Sequence, residues 1–279
     1  MLLLHVDINI CNKLGGYMSE KLQICFIAPE LLGTYGDSGN GIVLCKRAQL
    51  HGFDAELIKC SFGDPLPSSA DIYVLGGAED TPKSVVVQYL KNCDNFSKVF
   101  DGSKPVLATC VSMQILGSSF ENSAGETVSG LDVLDISTVS EKNRIVGELV
   151  SIPILPGLND LMTGFENHAS TTILGKDAKP LGIVVRGSGN GILSSDTDFM
   201  CQHVEKVKKY LDADCASYKF DGAVSGNILA TYMHGPCLAR NPELADWLIS
   251  KATGCSLQPL DFGNVNDFRA DRLKAVGIE

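Results

Sequence analysis

The stretch that decides the fold is Pro105-Val106-Leu107-Ala108-Thr109-Cys110-Val111-Ser112-Met113-Gln114-Ile115-Leu116-Gly117. A short apolar strand leads directly into a helical pattern, and Cys110 occupies the turn between them. Small residues lie two positions before it, at Ala108, and two positions after it, at Ser112. This spacing is typical of a nucleophile elbow, a sharp turn that holds the central side chain above a sheet. A helix N-terminus beneath the sulfur also favours the reactive thiolate. A buried structural cysteine is the alternative.

Composition narrows the class of protein. The chain has 279 residues, 44% of them apolar, and a net charge of −10, which indicates a compact globular protein. Without a Lys/Arg stripe, nucleic acid is not an expected partner. No apolar run approaches the ~20 residues of a membrane helix, so membrane insertion is not expected. Ten cysteines lie at irregular spacing with no C-x-x-C, which favours free thiols in a reducing cytoplasm. No metal site and no cofactor are predicted.

Strand and helix patterns alternate along the chain. Strands are predicted over residues 22–28, 55–58, 71–75, 106–109 and 227–233, and helices over 41–50, 82–100 and 242–252. The last helix is predicted to have Asn241 as its N-cap and Pro242 in its first turn. Between them, residues 131–188 are rich in short β-like runs. This alternation predicts an α/β fold with a mainly parallel sheet flanked by helices.

Domain boundaries follow from the same patterns. We expect residues 1–21 to be an N-terminal extension that contributes little to the fold. Residues 22–254 form the predicted domain, with an insertion near 188–226, and residues 255–279 form a C-terminal tail. Within the insertion, an apolar stripe predicts an amphipathic helix that packs on the core, with partner docking as the less favoured alternative. The stripe comprises Phe199, Met200, Val204, Val207 and Leu211.

Ligands of parallel sheets bind at the carboxyl ends of the strands. Three unusual loops fall there: the loop after the first strand, Gly76-Gly77 and the Cys110 elbow. A cysteine nucleophile needs a base within hydrogen-bond reach, and His234 leaves the end of the last strand toward this edge. His168 is the competing histidine. Backbone N–H groups of Val111 and of the Gly76-Gly77 turn, with Gly77 the preferred donor, are candidates for an oxyanion hole.

Six motifs in a fixed order resemble the cobyric-acid-synthase-like branch of class I glutamine amidotransferases. The resemblance covers residues 22–252. The motifs are Tyr35-Gly36-Asp37-Ser38-Gly39-Asn40, Gly76-Gly77-Ala78-Glu79-Asp80, the Cys110 elbow through Gly117, Gly164-Phe165-Glu166-Asn167-His168, Tyr232-Met233-His234-Gly235-Pro236 and Asn241-Pro242-Glu243-Leu244-Ala245-Asp246-Trp247-Leu248-Ile249.

The resemblance implies a flavodoxin-like fold and a definite chemistry. Cys110 would attack the carboxamide of L-glutamine to form a thioester, and His234 would act as base and then as acid. Arg144 matches the arginine that binds glutamine. The ammonia would pass to a Mur-ligase-like, ATP-dependent synthetase subunit in a heterodimer. In peptidoglycan synthesis, that subunit would amidate D-glutamate of lipid II.

The sequence also departs from the family. Val111 and Ser112 follow the cysteine where glycines are usual, and Val111 is expected to narrow the pocket or impair turnover. Pro236 stands where many class I members carry a glutamate, which leaves open a Cys–His dyad or a triad completed by Glu166 or another acid. Amidation of a corrin is one alternative function, although no G-x-x-x-x-G-K-[ST] loop for ATP is present. A non-catalytic scaffold that binds the synthetase is the other.

Overall fold

The computed structural model describes residues 21–79, 83–194, 203, 206–211, 218–260 and 263–278. The strands are β1 (Leu22–Ile27), β2 (Ala55–Cys60), β3 (Ile72–Leu75), β4 (Val106–Thr109), β5 (Ser119–Glu121), β6 (Thr127–Ser129), β7 (Ile136–Pro153), β8 (Met162–Leu174), β9 (Gly182–Arg186), β10 (Leu193–Ser194), β11 (Tyr218–Asp221), β12 (Ala223–Ser225) and β13 (Ile228–Thr231). The helices are α1 (Gly39–Leu50), α2 (Lys83–Lys91), α3 (Phe96–Val99), α4 (Val111–Leu116), α5 (Cys237–Arg240), α6 (Pro242–Thr253) and α7 (Gly263–Ala275).

The first sheet has the strand order β12-β13-β4-β3-β1-β2, and every pair except β12 with β13 is parallel. Its parallel strands, read from β2 to β13, follow the 2-1-3-4-5 order of flavodoxin-like folds. The predicted α/β class and mainly parallel sheet are therefore confirmed. Strands β1, β3, β4 and β13 are buried almost throughout, which explains their nearly continuous apolar sequences.

A second sheet lies beside the first, with the order β10-β11-β9-β7-β5-β6 and with β8 paired to β7. The β structure predicted for residues 131–188 is present, but its runs are longer than predicted, since β7 spans 18 residues and β8 spans 13. The two strands form an antiparallel pair with a break in register between Ser140 and Ile145. On its other edge, Phe165 of β8 forms an isolated β-bridge with His234, which follows β13 of the first sheet. The long hairpin thus reaches the carboxyl edge where the predicted site lies.

Two details of the predicted helices differ from the structure. The predicted helix over residues 82–100 is interrupted, because α2 ends at Lys91 and α3 begins at Phe96. In the interruption, the side chain of Asn92 donates to the carbonyl of Gln88 (2.9 Å), and that of Asn95 donates to the carbonyl of Leu66 (2.9 Å). Such local bonds compete with helical ones.

The second difference concerns the start of α6. Asn241 occupies the N-cap position, as predicted, but its side chain does not cap the helix. It accepts a hydrogen bond from the N–H of Thr163 (2.8 Å) and donates to the carbonyls of Thr163 (2.8 Å) and Cys237 (2.7 Å). Its side chain therefore joins α6 to strand β8 of the second sheet.

The proposed insertion and tail both contribute to the fold where the structure describes them. Of the predicted stripe, Phe199, Met200 and Val204 lie outside the described residues, as do residues 1–20. Val207 is buried in a small core of the second sheet, and Leu211 packs against it. In the tail, Arg269 of α7 pairs with Asp160 (2.9 Å) and donates to the carbonyl of Leu161 (2.6 Å).

Cysteine chemistry agrees only in part with the expectation of free thiols. Of the seven cysteines that the structure describes, six are free, whereas Cys255 is disulfide-bonded. The free ones are Cys25, Cys45, Cys60, Cys93, Cys110 and Cys237. Within the described ranges, none of the helices is long and apolar enough to cross a membrane.

One buried ion pair joins α1 to α6. Arg47 donates two hydrogen bonds to Asp246 (2.7 and 2.6 Å), and His51 lies 3.0 Å from the same carboxylate. Removing the guanidinium leaves that carboxylate poorly compensated. We therefore expect Arg47→Ala to lower the free energy of unfolding by about 2–4 kcal/mol in urea denaturation. Lys46→Ala, which removes an exposed side chain one position earlier, is the control and should cost less than about 1 kcal/mol. Equal effects of the two variants would contradict this account of the pair.

Candidate active site

Cys110 lies at the junction of β4 and α4 in a strained conformation. Its φ is 51° and its ψ is −105°, a region that residues other than glycine rarely adopt. The turn is held because its N–H donates to the carbonyl of Thr231 in β13 (2.8 Å). The side chain is nearly buried, with 4% of the residue exposed. The backbone therefore has the geometry of a nucleophile elbow.

His234 follows the end of β13, the strand next to β4, and is completely buried. Its Nδ1 lies 2.8 Å from Oδ2 of Asp37, which is equally buried. Its Nε2 makes no hydrogen bond of ordinary geometry. Cys110 is nevertheless close enough to interact with the imidazole and to change its pKa. The fold therefore brings together a thiol, an imidazole and a carboxylate from three separate elements.

The charge state of this group is set by two opposing effects. Burial lowers the pKa of His234, but the hydrogen bond that its ring donates to Asp37 and the interaction with Cys110 raise the pKa, and the net effect brings it to about 10. The imidazole is thus protonated at neutral pH. A protonated Nδ1 donates to Asp37, and the positive ring lies beside Cys110.

Gly77 is required by a close approach to the imidazole. A Cβ atom here would lie 2.5 Å from Cε1 of His234 and 3.1 Å from Oδ2 of Asp37. Its N–H donates to the same Asp37 oxygen (2.7 Å), so the oxyanion donor expected at Gly77 is already engaged.

The N–H of Val111 stays the candidate oxyanion donor, since it lies in the first turn of α4, where N–H groups lack helical partners. Ser112 donates to the carbonyl of Gly76 (2.5 Å) and so ties the elbow to the glycine turn.

Glu166 is a candidate acid partner of His234 in the sequence, but its carboxylate binds other groups. Its carboxylate accepts hydrogen bonds from the N–H groups of Ser188 (2.8 Å) and Gly189 (2.9 Å), and it lies 3.4 Å from Nε2 of His168. The acid that contacts the imidazole of His234 is therefore Asp37, and not Glu166. In the part of the chain that the structure describes, no three His, Cys, Asp or Glu side chains gather as metal ligands.

Arg144 reaches the rim of the site from the middle of β7. Its Nε donates to Oδ1 of Asn167 (2.6 Å), and its Nη2 donates to the hydroxyl of Tyr35 (3.4 Å). The Tyr35 ring meets the His234 ring edge-on, with centroids 5.0 Å apart. The guanidinium is exposed, one aromatic ring away from the base.

Tyr35, Asp37 and Glu79 lie within the sequence motifs, but the sequence alone predicts no role for them. The signal that could have found Asp37 was available, since it lies in the loop after the first strand, at the edge where the other residues were expected. The missing information was the distance across the sheet. Asp37 and His234 are 197 positions apart in sequence, and no local pattern pairs them.

Two curated relatives match most of the chain. It is 30% identical over 250 residues to the lipid II isoglutaminyl synthase (glutamine-hydrolyzing) subunit GatD of Streptococcus pneumoniae, covering 88% of this chain and 85% of the relative. Identity to the Staphylococcus aureus GatD subunit is 27% over 259 residues, covering 91% and 95%. A cobyric acid synthase of Clostridium botulinum is 26% identical over 175 residues, 59% of this chain and 30% of that protein.

The interaction between His234 and Asp37 predicts an unusual titration. We expect the imidazole in the wild-type protein to keep both protons up to about pH 10, as measured by NMR of labelled histidine. Asp37→Asn removes the charge that stabilises the imidazolium, so the pKa of His234 should fall by more than one unit. The pKa of solvent-exposed model histidine is about 6.5 and provides the reference. A wild-type titration near this reference, or an Asp37→Asn titration that matches the wild type, would contradict the assignment.

The comparison with protein families agrees with the order of the sequence motifs and with the fold. Residues 23–242 match the CobB/CobQ-like glutamine amidotransferase domain, which covers both the Cys110 elbow and His234. The resemblance seen in the sequence is therefore confirmed. The chain belongs to the CobB/CobQ-like family of glutamine amidotransferases.

Proposed function

We propose that this chain is a glutaminase subunit that hydrolyses L-glutamine to glutamate and ammonia through a Cys110 thioester. The observation that carries this proposal is the buried imidazole of His234, held by Asp37 and close to Cys110 at the carboxyl edge of the sheet. Family membership supplies the class of reaction. A structural role for Cys110 does not account for its strained backbone or for the charged partner beside it.

In the first half-reaction, the thiolate of Cys110 attacks the side-chain carbonyl carbon of glutamine. The carbonyl oxygen becomes an oxyanion, to which the N–H of Val111 is the candidate donor. Nε2 of His234 then protonates the nitrogen as the carbon–nitrogen bond breaks. Ammonia leaves, and a γ-glutamyl thioester stays on Cys110.

In the second half-reaction, water replaces ammonia. Once Cys110 is a neutral thioester, one of the interactions that raises the pKa of His234 is gone. The imidazole, neutral after giving up its proton, is then a suitable base to take a proton from water. Hydroxide attacks the thioester carbon, the carbon–sulfur bond breaks, and the thiolate is restored. The new carboxylic acid releases its proton to water and leaves as glutamate. Throughout, Asp37 orients the ring by accepting from Nδ1, as the third residue of a triad does.

Arg144 is proposed to bind the α-carboxylate of glutamine. A guanidinium offers several donors in one plane, which suits a carboxylate. Its exposure at the rim, separated from His234 by the Tyr35 ring, matches a substrate whose carboxamide reaches inward.

The ammonia is proposed to serve a separate synthetase subunit. Both GatD relatives are named as subunits of lipid II isoglutaminyl synthase and match this chain over most of their length. We therefore favour a heterodimer with a Mur-ligase-like, ATP-dependent subunit that amidates D-glutamate of lipid II in the cytoplasm. Corrin amidation is the second candidate, but the chain covers only 30% of the cobyric acid synthase it matches.

The thioester mechanism requires the Cys110 sulfur. Cys110→Ala is expected to lower glutamate release by at least about 10⁴-fold, with or without the synthetase subunit. Cys237→Ala, which removes a buried thiol that has no place in the mechanism, is the control and should retain most activity if folded. Glutamate release at the wild-type rate by Cys110→Ala would exclude the mechanism. An inactive wild type in the presence of the synthetase would favour the scaffold.

Arg144→Ala is expected to raise the KM for glutamine by about 10–100-fold with a smaller change in kcat, because a charge-assisted hydrogen bond is worth about 1.5–3 kcal/mol. Lys142→Ala, two positions earlier on the same exposed strand, is the matched control and should leave KM within about twofold. Steady-state glutamate release measures both. An unchanged KM in Arg144→Ala would remove this residue from the binding site.

A further inference from the structure

A second charged group lies at the entrance to the site, opposite Arg144. The hydroxyl of Tyr35 donates to Oε1 of Glu79 (3.0 Å) and accepts from Nη2 of Arg144 (3.4 Å). Glu79 and Arg144 are both exposed, and Tyr35 is partly exposed. A carboxylate and a guanidinium thus face the same opening, one hydroxyl group apart.

The backbone places this pair beside the reacting groups. Glu79 follows two residues after Gly77, where a Cβ atom would lie 2.5 Å from Cε1 of His234. Tyr35 precedes Asp37 by two residues, and its ring packs edge-on against the imidazole. The loop that holds the base therefore also holds Tyr35, and the turn that touches the base leads to Glu79.

Tyr35 is held in an unusual backbone conformation that favours this bridge. Its φ is 55°, in the left-handed region. Burial, followed by the hydrogen bond to Glu79, raises the pKa of the phenol, so the hydroxyl stays protonated and donates to the carboxylate. The strained backbone and the two hydrogen bonds together keep the hydroxyl between the two charges.

We propose that Glu79 binds the α-ammonium group of glutamine while Arg144 binds its α-carboxylate. The hydroxyl of Tyr35 lies between these two side chains. This inference rests on the proposed function. The head group of glutamine carries one positive and one negative group on a single carbon atom, and the entrance presents a carboxylate and a guanidinium that both bond to one hydroxyl group. Glu79 is therefore a specificity-determining residue that distinguishes glutamine from carboxamides without an α-amino group.

The alternative is that Glu79 only fixes the Tyr35 loop. The two possibilities differ in their dependence on the substrate. A loop anchor supports catalysis on every carboxamide equally, whereas an ammonium-binding carboxylate matters only for substrates that carry the ammonium. A substrate that lacks this one group separates the two.

The test compares L-glutamine with 5-amino-5-oxopentanoate, which is glutamine without its α-amino group. Glu79→Gln keeps the size of the side chain and an oxygen that can accept from Tyr35. We expect this variant to lower kcat/KM for glutamine by about 10–100-fold, mainly through KM, since a charge-assisted hydrogen bond is lost. For the deaminated carboxamide, kcat/KM, or the competitive inhibition constant against glutamine, should stay within about twofold of wild type. Glu126→Gln, in the exposed turn between β5 and β6, is the control.

Two results would overturn the inference: an equal loss for both substrates, or no loss for either. The proposed function fails by a different result, which is full glutamine hydrolysis by Cys110→Ala. Tyr35→Phe is a further control for a defect in the Tyr35 loop. It removes the hydroxyl that bonds to Glu79 and Arg144 but keeps the ring that packs against His234. In the Tyr35→Phe background, the substrate-dependent effect of Glu79→Gln should persist. Its disappearance would assign Glu79 to loop anchoring.

Discussion

The active site depends on one buried carboxylate. Oδ2 of Asp37 accepts from the N–H of Gly77 and from the imidazole of His234 at once, and so joins the loops after β1, β3 and β13. Neither oxygen of Asp37 is exposed to water, so the charge is compensated by these donors. The protonated histidine follows from this arrangement, as does the need for glycine at position 77. The charged imidazole beside Cys110 therefore depends on loops that follow three different strands of the first sheet.

The fold was largely predictable because its strands are buried and its connections are short. The runs at β1, β3 and β4 are almost entirely apolar, which is typical of central parallel strands, and their order along the chain restricts the topology. The second sheet was less predictable. Strand β7 mixes polar and apolar residues, and its exposed middle section around Arg144 carries no clear period.

The site was predictable only where its chemistry is local. Cys110 and His234 can be proposed as site residues from the sequence because each stands at a strand end within a recognisable motif, and Arg144 can be proposed because it matches a family position. Asp37 and Gly77 required knowledge of contacts across the sheet. The Gly76-Gly77 turn suggested a donor for the substrate, yet the structure uses the N–H of Gly77 to hold the acid. Hydrogen-bond partners of backbone groups are set by tertiary geometry, which a single sequence does not contain.

The separation between acid and base also affects how the protein matures. Asp37 lies in the first loop of the domain and His234 follows its last parallel strand, 197 positions later, so the pair can form only when both ends of the sheet have assembled. A nascent or partly folded chain carries Cys110 without the charged imidazole that is proposed to activate it. Under the proposed mechanism, fragments or chimaeras that keep the elbow but lose the N-terminal loop should carry Cys110 without its activating pair and should not hydrolyse glutamine. Glutamine hydrolysis would therefore also indicate that both ends of the first sheet have folded together.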